Sequence, residues 1–227
     1  MKLSIIIPVF NEEKTVSEII KKVEELSLPV EKEIIVVNDG SKDNTVGVLK
    51  ELKGKFNFVL IGHEKNQGKG AAIRTGLERA TGDFVIVQDA DLEYDPGDYR
   101  KIIEPLLNGK ADVVYGSRIL GKNRGSSFSF FWGGKILTFL SNLLYGLGIT
   151  DESTCYKAFR RDLLNSLNLE SKGFEFCPEV TAKIGRKGIK IYEVPISYHA
   201  RSTKEGKKIK WKDGFIAVWT LIKYKFK

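Results

Sequence analysis

The segment Phe84-Val85-Ile86-Val87-Gln88-Asp89-Ala90-Asp91-Leu92-Glu93 joins an apolar run to a series of carboxylates. A short run of apolar, mostly β-branched residues is typical of a strand buried on both faces, as in a parallel sheet. Alternate side chains of an extended chain point the same way, so Asp89 and Asp91 are expected to face one site at the strand's end. The segment therefore predicts a parallel sheet with an acidic site at its edge.

Comparable apolar runs recur along the chain and alternate with segments of helical spacing. The runs predict strands at Leu3–Val9, Glu33–Val37, Phe56–Ile61, Phe84–Val87, Asp112–Tyr115 and Ile189–Tyr198. Apolar residues at helical spacing predict helices over 16–26, 46–52, 71–80, 102–106, 136–147, 179–186 and 211–226. This order predicts an α/β fold with a mainly parallel central sheet flanked by helices, in which ligands bind beyond the carboxyl ends of the strands.

Composition limits the class of protein. The 227 residues are 42% hydrophobic and contain no linker or repeat, which predicts a single domain over residues 1–227. Two cysteines do not make a disulfide framework and no signal peptide opens the chain, so a cytoplasmic location is expected. The net charge is +8, and residues 201–227 hold nine basic residues against two acidic ones. Such a tail either improves solubility or meets an anionic partner such as a membrane surface, and because the charge is local, nucleic acid is not expected.

The carboxylates after the fourth predicted strand indicate a site for a divalent cation. Carboxylates at the end of a buried strand are costly unless they are paired. Mg²⁺ and Mn²⁺ take carboxylate oxygens and keep positions open for phosphate. Glu93 continues the alternation of Asp89 and Asp91 and is a candidate third ligand. An isolated Asp-x-Asp is also common in surface loops, but its place at a strand end favours the metal site.

Two other strand ends predict contacts with a nucleotide. Asp39 follows the second strand and could accept hydrogen bonds from a base or a ribose. The alternative, a helix cap, is better served by Ser41 or Asp43. After the first strand, Phe10 could lie against a base, and Glu12 could contact the base or the ribose.

The loop Lys65-Asn66-Gln67-Gly68-Lys69-Gly70 predicts a cradle for a diphosphate. It places glycines and lysines at the start of the third helix, where backbone N–H groups and the helix dipole favour anions. The loop lacks the Gly-x-x-x-x-Gly-Lys-Ser/Thr pattern, which argues against an ordinary ATPase or GTPase. No Gly-x-Gly-x-x-Gly follows the first strand, which argues against a nicotinamide dehydrogenase.

Together these motifs resemble family 2 glycosyltransferases of the GT-A fold, especially the dolichyl- or polyprenyl-phosphate hexose synthases. The resemblance runs from residue 3 to about residue 222 and rests on seven ordered segments: Ile7–Glu12, Val37–Asp43, Asn66–Ala71, Gln88–Glu93, Tyr115–Arg118, Asp151–Tyr156 and Glu193–Ile196. It implies an inverting enzyme that transfers a hexose from GDP-mannose or UDP-glucose to dolichyl or polyprenyl phosphate, with Mg²⁺ or Mn²⁺ as cofactor.

The resemblance also implies roles for individual residues. The nucleotide-sugar would be bound by residues of the first four segments: Pro8, Phe10, Glu12, Val37, Asp39, Lys69, Gln88, Asp89, Ala90 and Asp91. The metal would be held by Asp89, Asp91 and Glu93. Many relatives have Asp-Asp-Gly where this chain has Asn38-Asp39-Gly40, and Tyr in place of Phe10. Neither change removes an expected metal ligand.

The acceptor phosphate is expected to meet arginines from three parts of the chain. Arg118, Arg124 and Arg201 are the candidates. Arg201 and the basic loop Lys204–Lys210 resemble the segment that closes over bound substrates in this family. These side chains would neutralise and position the phosphate.

The nature of the acceptor determines whether the enzyme needs a general base. A lipid phosphate needs none, because its second pKa is near ~6 and it is largely dianionic at neutral pH. The expected catalytic residues are then Asp91, through the cation, and Arg118. Asp151 is the candidate base if the acceptor is a sugar hydroxyl, and a pairing or capping role in the Thr150–Thr154 turn is the alternative.

Two apolar segments suggest contact with a membrane. Residues 128–149 are interrupted by polar residues and glycines and are marginal in length for a span of about 20 residues. Residues 205–227 combine tryptophans with lysines, which is typical of a helix lying in the membrane interface. The alternative is that both stripes belong to the core. The expected location is therefore peripheral, at the cytoplasmic face of a membrane.

Two other functions remain open at this point. The chain could add sugar to a saccharide or glycan, in which case labelled sugar would not partition with lipid phosphate. It could also be a catalytically silent protein that binds nucleotide-sugars and docks on membranes. The intact Asp89 and Asp91 pair argues against a silent protein, and turnover of a nucleotide-sugar would exclude it.

Overall fold

A computed structural model describes residues 1–121, 123, 128–201, 208 and 211–227, with residues 128–130 described by their backbone alone. Its strands are β1 (Lys2–Val9), β2 (Glu31–Asn38), β3 (Val59–Gly62), β4 (Phe84–Val87), β5 (Val113–Ser117), β6 (Lys157–Arg160) and β7 (Tyr192–Pro195). Its helices are α1 (Val16–Glu25), α2 (Thr45–Lys53), α3 (Lys69–Arg79), α4 (Tyr99–Leu107), α5 (Phe128–Tyr145), α6 (Arg161–Ser166), α7 (Phe176–Arg186) and α8 (Trp211–Phe226).

All of these strands belong to one sheet, in the order β3-β2-β1-β4-β6-β5-β7. Only β6 runs antiparallel to its neighbours, β4 and β5. The other pairs are parallel, including β1 with both β2 and β4. The predicted α/β fold with a mainly parallel sheet is confirmed.

The sheet is buried on both faces, as continuous β-branched strands require. On one face Ile5 and Ile7 of β1 pack with residues of α1, α2 and α4. On the other face Ile6 packs with residues of α3, α6 and α7. This alternation follows from the two-residue period of a strand. The two helical layers therefore leave the ends of the strands as the accessible edges of the sheet.

The loop before α3 is held against residues 171–173. The backbone N–H of Gly70 donates to the carbonyl of Gly173 (3.2 Å), and that of Ala71 donates to the carbonyl of Lys172 (3.0 Å). Gly68 has φ +100°, and a Cβ atom there would collide with the carbonyl of Lys172. Glycine is required at this position by both conformation and space.

Helices α5, α7 and α8 pack together at one side of the sheet. Leu221 and Tyr224 of α8 form a buried cluster with Ala182 of α7, and Leu137 and Leu140 of α5 pack against it. The hydroxyl of Tyr145 donates to the carbonyl of Leu221 (2.5 Å). One face of α5 and of α8 is therefore used for packing within the protein.

Several predicted boundaries were wrong. β3 begins at Val59 rather than Phe56, and β7 covers only Tyr192–Pro195. The segment predicted as one helix over 128–149 leaves the helical conformation after Tyr145, because Gly146 and Gly148 have φ of +66° and +68°. β6 and α6 were not predicted from the sequence. Each is short, and its charged residues leave too few apolar positions to show the period of a strand or a helix.

Candidate active site

Asp39 and Asp89 lie at the carboxyl edge of the sheet, just beyond β2 and β4. The backbone N–H of Asp39 donates to the carbonyl of Val9 (2.8 Å), and that of Gln88 donates to the carbonyl of Ile6 (2.9 Å). These bonds extend the pairing of β1 past the ends of both neighbours. Because the three strands are parallel, the segments that follow them meet at one edge, as expected.

Asp39 organises the loop that precedes α3. Its carboxylate accepts hydrogen bonds from the backbone N–H groups of Gln67 (2.9 Å) and Gly68 (2.8 Å). Its Oδ1 also lies 2.7 Å from Nδ1 of His63, whose Nε2 is 3.0 Å from the Thr75 hydroxyl. Asp39 is 2% exposed and borders the cavity described below. Its contacts hold the loop before α3 in place, and its contact with a nucleoside remains a proposal.

Lys69 connects this loop to the first carboxylate after β4. Its Nζ lies 2.5 Å from Oδ1 of Asp89 and donates to Sγ of Cys155 at 3.0 Å. Burial disfavours the charged form of Asp89, but the charge of Lys69 and hydrogen bonding outweigh burial and lower the pKa of this carboxyl. The charge of Asp89 likewise outweighs burial at Lys69, whose pKa is raised well above its ordinary value. Both groups are therefore charged at neutral pH.

Arg201 lies among three carboxylates. Its NH2 is 3.1 Å from Oδ2 of Asp91, its NH1 is 3.3 Å from Oε2 of Glu12, and its Nε is 3.9 Å from Oε1 of Glu93. Nζ of Lys208 lies 2.7 Å from Oε1 of Glu12 and also contacts the carbonyl of Phe10. Basic side chains from the end of the chain therefore neutralise carboxylates that follow β1 and β4.

Asp91 lies close to other negative charges. Burial and the negative charges of Asp89 and Glu93 raise its pKa to about 7, although Arg201 and the N–H of Glu93 act in the opposite direction. A carboxylate held among like charges gains from a nearby cation. Asp91 therefore has the electrostatic environment of a cation ligand.

Glu93 does not have the contacts of a third metal ligand. Its Oε2 accepts a hydrogen bond from the Tyr198 hydroxyl (2.9 Å), and its Oε1 accepts one from the backbone N–H of Arg201 (2.8 Å). Among the described residues, no three Asp, Glu, His or Cys side chains are arranged to hold one ion. The expected three-ligand site is thus not reproduced. Asp89 and Asp91 still fit an ion of the Mg²⁺ type, which takes one or two carboxylates together with substrate phosphates.

Two residues expected to bind the donor face the interior instead. Val37 is buried in the core layer on the α3 side of the sheet. Gln88 is fully buried, and its Oε1 accepts hydrogen bonds from the hydroxyls of Tyr99 (2.7 Å) and Tyr156 (2.6 Å). Neither residue borders the cavity. The side chain of Val37 therefore supports β2, and that of Gln88 fixes the strand end that carries Asp89, while contact of either residue with a donor remains a prediction.

Arg118 and Asp151 form a bidentate ion pair. Nε and NH2 of Arg118 lie 2.8 Å and 2.7 Å from the two carboxylate oxygens, and the backbone N–H of Arg118 donates to Oδ2 at 2.9 Å. Burial disfavours the charged form of Asp151, but the charge and hydrogen bonds of Arg118 outweigh burial and lower its pKa. These contacts favour the pairing alternative for Asp151 over a general base. NH1 of Arg118 takes no part in this ion pair.

Some neighbours of the site were not identified from the sequence. Tyr198 donates to Glu93, and its ring centroid lies 5.1 Å from the guanidinium carbon of Arg118, so it joins the two groups of charges. The only indication in the sequence was its place at the end of the last predicted strand. His63, Cys155 and Cys177 were also missed as site residues. Of the expected basic residues, Arg124 and all of the loop Lys204–Lys210 except Lys208 lie outside the described residues.

These groups line one cavity of about 1080 Å³. The expected residues that border it are Pro8, Phe10, Glu12, Asp39, Lys69, Asp89, Ala90, Asp91, Glu93, Arg118, Asp151 and Arg201. Another part of its wall is formed by α5 and α8, including Phe131, Ile136, Trp211 and Phe215. One cavity therefore connects the strand-end carboxylates with two apolar helices.

The outer faces of α5 and α8 expose large apolar side chains, which we call the α5–α8 surface. Its members are Phe131, Trp132, Ile136, Phe139, Leu143, Trp211, Phe215, Ile216, Trp219, Ile222 and Phe226. Contiguous apolar patches of this kind mark sites of interaction. No helix in the described ranges is both long enough and apolar enough to cross a bilayer.

Comparisons with known proteins agree with this geometry. The model of the glycosyl transferase family 2 matches residues 4–167. The chain is 33% identical to a UDP-N-acetylglucosamine–dolichyl-phosphate N-acetylglucosaminyltransferase of Methanococcus voltae, over 85% of this chain and 83% of that protein. It is 30% identical to a dolichol-phosphate mannosyltransferase of Pyrococcus furiosus, over 91% of this chain and 59% of that protein. It is 31% identical to the hexosyltransferase Agl6 of Haloferax volcanii, over 88% of this chain and 48% of that protein.

The chain thus spans most of the first of these relatives but only about half of the other two. Among solved structures, glucosyl-3-phosphoglycerate synthase of Mycobacterium tuberculosis in complex with Mn²⁺, UDP and phosphoglyceric acid matches with a TM-score of 0.75 and 22% identity, over 99% of this chain and 78% of that one. This likeness supports the GT-A fold. The chain belongs to glycosyltransferase family 2 and is a glycosyltransferase of that family.

Proposed function

We propose that the chain is an inverting hexosyltransferase that moves a sugar from a nucleotide-sugar to dolichyl or another polyprenyl phosphate at a membrane surface. The observation that carries this proposal is the cavity that joins the strand-end carboxylates to the α5–α8 surface. The diphosphate of a nucleotide-sugar would bind near the strand-end carboxylates. The phosphate of a lipid would bind between these carboxylates and the apolar helices α5 and α8. The names of the relatives, which include dolichyl-phosphate transferases, support the same acceptor.

The donor is proposed to bind across β1, β2 and α3. Phe10 and Glu12 would meet the nucleoside together with Asp39, which borders the same cavity. Lys208 now contacts Glu12, and its Nζ lies 5.7 Å from the centroid of the Phe10 ring. Donor binding therefore requires these residues to exchange partners. At the start of α3, Lys69 would supply positive charge for the diphosphate, while the neighbouring N–H groups of Gly68, Gly70 and Ala71 already donate within the chain.

Mg²⁺ or Mn²⁺ is the proposed cofactor, held by Asp89 and Asp91. When bound, the ion supplies positive charge that stabilises the leaving diphosphate. The raised pKa of Asp91 supports a cation at this position. Lys69 and Arg201, which now neutralise Asp89 and Asp91, would then contact the phosphates.

Arg118 is proposed to position the acceptor phosphate. Asp151 fixes the guanidinium through two of its nitrogens, and Tyr198 lies against its face, so Arg118 is held in one orientation within the cavity. A fixed cation binds an anion with little loss of side-chain entropy. A dianionic phosphate needs no general base, which is consistent with an Asp151 carboxylate already occupied by Arg118.

The α5–α8 surface is proposed to lie in the interface of a membrane, at its cytoplasmic face. Trp211 and Trp219 are exposed there, and Lys212 and Lys223 lie on the same helix. Apolar aromatic side chains flanked by lysines are typical of helices that lie in an anionic interface. This arrangement would bring the mouth of the cavity to the lipid that carries the acceptor.

Product analysis tests the acceptor. The protein is incubated with Mn²⁺, a polyprenyl phosphate and labelled GDP-mannose, UDP-glucose or UDP-N-acetylglucosamine, the last chosen from the name of the Methanococcus voltae relative. We expect label from one donor to enter the organic phase and to be released by mild acid as free sugar. Omission of the lipid phosphate is the control.

Two outcomes would contradict the proposal. Label in a water-soluble saccharide, with none in lipid, would indicate a glycan acceptor. Binding of a nucleoside diphosphate without turnover of any donor, in the presence of lipid phosphate and metal, would indicate a silent binding protein.

A further inference from the structure

The imidazole ring of His63 connects the end of β2 with helix α3. His63 follows β3 directly, and its backbone N–H donates to the carbonyl of Asn38, the last residue of β2 (2.9 Å). Nδ1 of the ring lies 2.7 Å from Oδ1 of Asp39, and Nε2 lies 3.0 Å from the hydroxyl oxygen of Thr75 in α3. The ring therefore bridges a carboxylate of the cavity wall and the helix beside it.

The acceptors around the ring determine where its proton lies. Both oxygens of the Asp39 carboxylate accept backbone N–H groups, Oδ1 that of Gln67 (2.9 Å) and Oδ2 that of Gly68 (2.8 Å). Because these oxygens act as acceptors, the proton in the bond between Asp39 and His63 is carried by Nδ1. In the neutral ring Nε2 is then left to accept the hydroxyl proton of Thr75. Asp39 and Thr75 therefore favour the same tautomer.

The contact between His63 and Asp39 is shielded from water. The side chains of the two residues are 8% and 3% exposed. A hydrogen bond to a carboxylate is stronger in such a place than at the surface, and a buried acceptor that loses its donor is left unsatisfied. Loss of the ring would therefore change the environment of Asp39 without replacement by bulk water.

His63 holds Asp39 independently of the loop before α3. The two backbone donors, Gln67 and Gly68, belong to that loop, whereas the ring comes from the end of β3 and is held at Nε2 by Thr75. Asp39 borders the cavity, and His63 is not among the described residues that do so. The ring can therefore act on a ligand in the cavity by fixing the plane of the Asp39 carboxylate.

We propose that His63 is a positioning residue for donor binding, which holds the Asp39 carboxylate in the orientation that meets the nucleoside. The inference rests on the proposed function, from which it takes the contact of Asp39 with the nucleoside. Because His63 touches neither the reacting atoms nor the diphosphate, its loss should raise the KM for the donor and leave kcat unchanged.

Three substitutions of His63 keep different parts of the bridge. The amide nitrogen of asparagine takes about the position of Nδ1, so His63→Asn (H63N) keeps a donor to Asp39 and loses the contact with Thr75. The longer side chain of glutamine brings its amide to the position of Nε2, so H63Q keeps a partner for Thr75 and loses the donor to Asp39. H63L keeps neither contact.

Nucleotide binding to these variants tests the proposal. The wild-type protein and each variant are titrated with UDP and with GDP in the presence of Mn²⁺, and their melting temperatures are measured in the same buffer. For the nucleotide that the wild type binds, we expect the Kd to rise about tenfold in H63Q and H63L and to stay within about threefold of wild type in H63N. Equal losses in H63N and H63Q, or affinities that follow the melting temperatures, would overturn the positioning role.

A double-mutant cycle tests whether His63 acts through Asp39. Asp39→Ala removes the carboxylate, so in that background H63L should cause no further loss of nucleotide affinity. Additive losses would mean that the ring affects the nucleotide by another route, and the proposal would be wrong. If H63L does not fold, the comparison of H63N with H63Q decides alone.

The outcomes separate this proposal from the transferase function. Wild-type affinity in H63L, in a protein that binds UDP or GDP, would overturn the role of His63 and leave the proposed donor site intact. If the wild-type protein binds neither nucleotide, the proposed donor site is wrong, and the role of His63 in it fails as well.

Discussion

The strand-end carboxylates and the α5–α8 surface both contribute to the wall of one cavity, but they differ in whether their groups have partners within the chain. At the strand ends the carboxylates have partners within the chain, as Asp89 has Lys69 and Asp151 has Arg118. On the α5–α8 surface, Phe139 and Trp219 are 68% and 65% exposed. A ligand that binds at the carboxylates must displace their present partners, whereas a ligand that binds on the α5–α8 surface needs only to cover apolar side chains. Substitutions in the two regions should therefore alter different measurements.

The substitution with the largest expected effect is Asp91→Asn. The amide keeps the shape but loses the charge that attracts the cation, so we expect transfer to fall by about 10³-fold. The fold, followed by circular dichroism, and binding to vesicles should not change. The matched control is Asp112→Asn, an exposed carboxylate beside Arg160 at the other end of β5, which should retain full activity. Activity in D91N close to that of the wild type would mean that the cation is held elsewhere.

Asp151→Asn tests the ion pair of Asp151 with Arg118, which is expected to stabilise the fold and is proposed to serve acceptor binding. Breaking a buried ion pair should lower the free energy of unfolding by about 3–5 kcal/mol at pH 7. The pKa of Asp151 is lowered in the folded protein, so its contribution is present above the ordinary value of 3.8 and is lost as pH falls below it. Urea unfolding at pH 7 and pH 3 should therefore show a difference between wild type and variant that shrinks in acid.

A pH-independent difference would contradict the assigned pair. The double variant R118M/D151N, which removes both charges, should be more stable than D151N alone because no unpaired guanidinium remains. If the double variant is the less stable of the two, the pair does not account for the stability.

Trp219→Ser tests the α5–α8 surface and has the smallest expected effect. Burial of one exposed tryptophan in a membrane interface contributes about 1–2 kcal/mol, so binding to anionic vesicles should weaken about tenfold. Affinity for UDP or GDP should stay unchanged. Tyr192→Ser removes another exposed aromatic residue, 47% exposed and in β7, and serves as the control. Equal loss of vesicle binding in both variants would mean that the α5–α8 surface is not the part of the protein that contacts the membrane.

The features that could be predicted from sequence are those fixed by strand order. Asp39 and Asp89 follow apolar runs, and parallel strands bring such positions to one edge whatever the details of packing. The direction of a side chain at that edge could not be predicted. Gln88 turns inward because Tyr99 and Tyr156, which come from later elements, hydrogen bond to it.

Contacts that arise only from tertiary packing could not be predicted from the sequence either. Cys155 meets Lys69 because β6 enters the sheet antiparallel between β4 and β5, and that short strand has no clear pattern of its own. The role of Glu93 depends on Tyr198 and Arg201, both more than 100 positions further along the chain. The α5–α8 surface was predicted as an amphipathic pattern, but the pattern alone could not separate its packed face from its exposed face.

The close fit between Gly68 and the carbonyl of Lys172 has a consequence for protein engineering. Gly70 is similarly confined, since a Cβ atom there would lie 2.6 Å from the carbonyl of Ser171. The loop over residues 66–70 and the segment over residues 171–173 therefore form one transplantable unit. A chimera that grafts the first from a relative to change donor preference should carry the second with it, and a randomised library should keep both glycines constant.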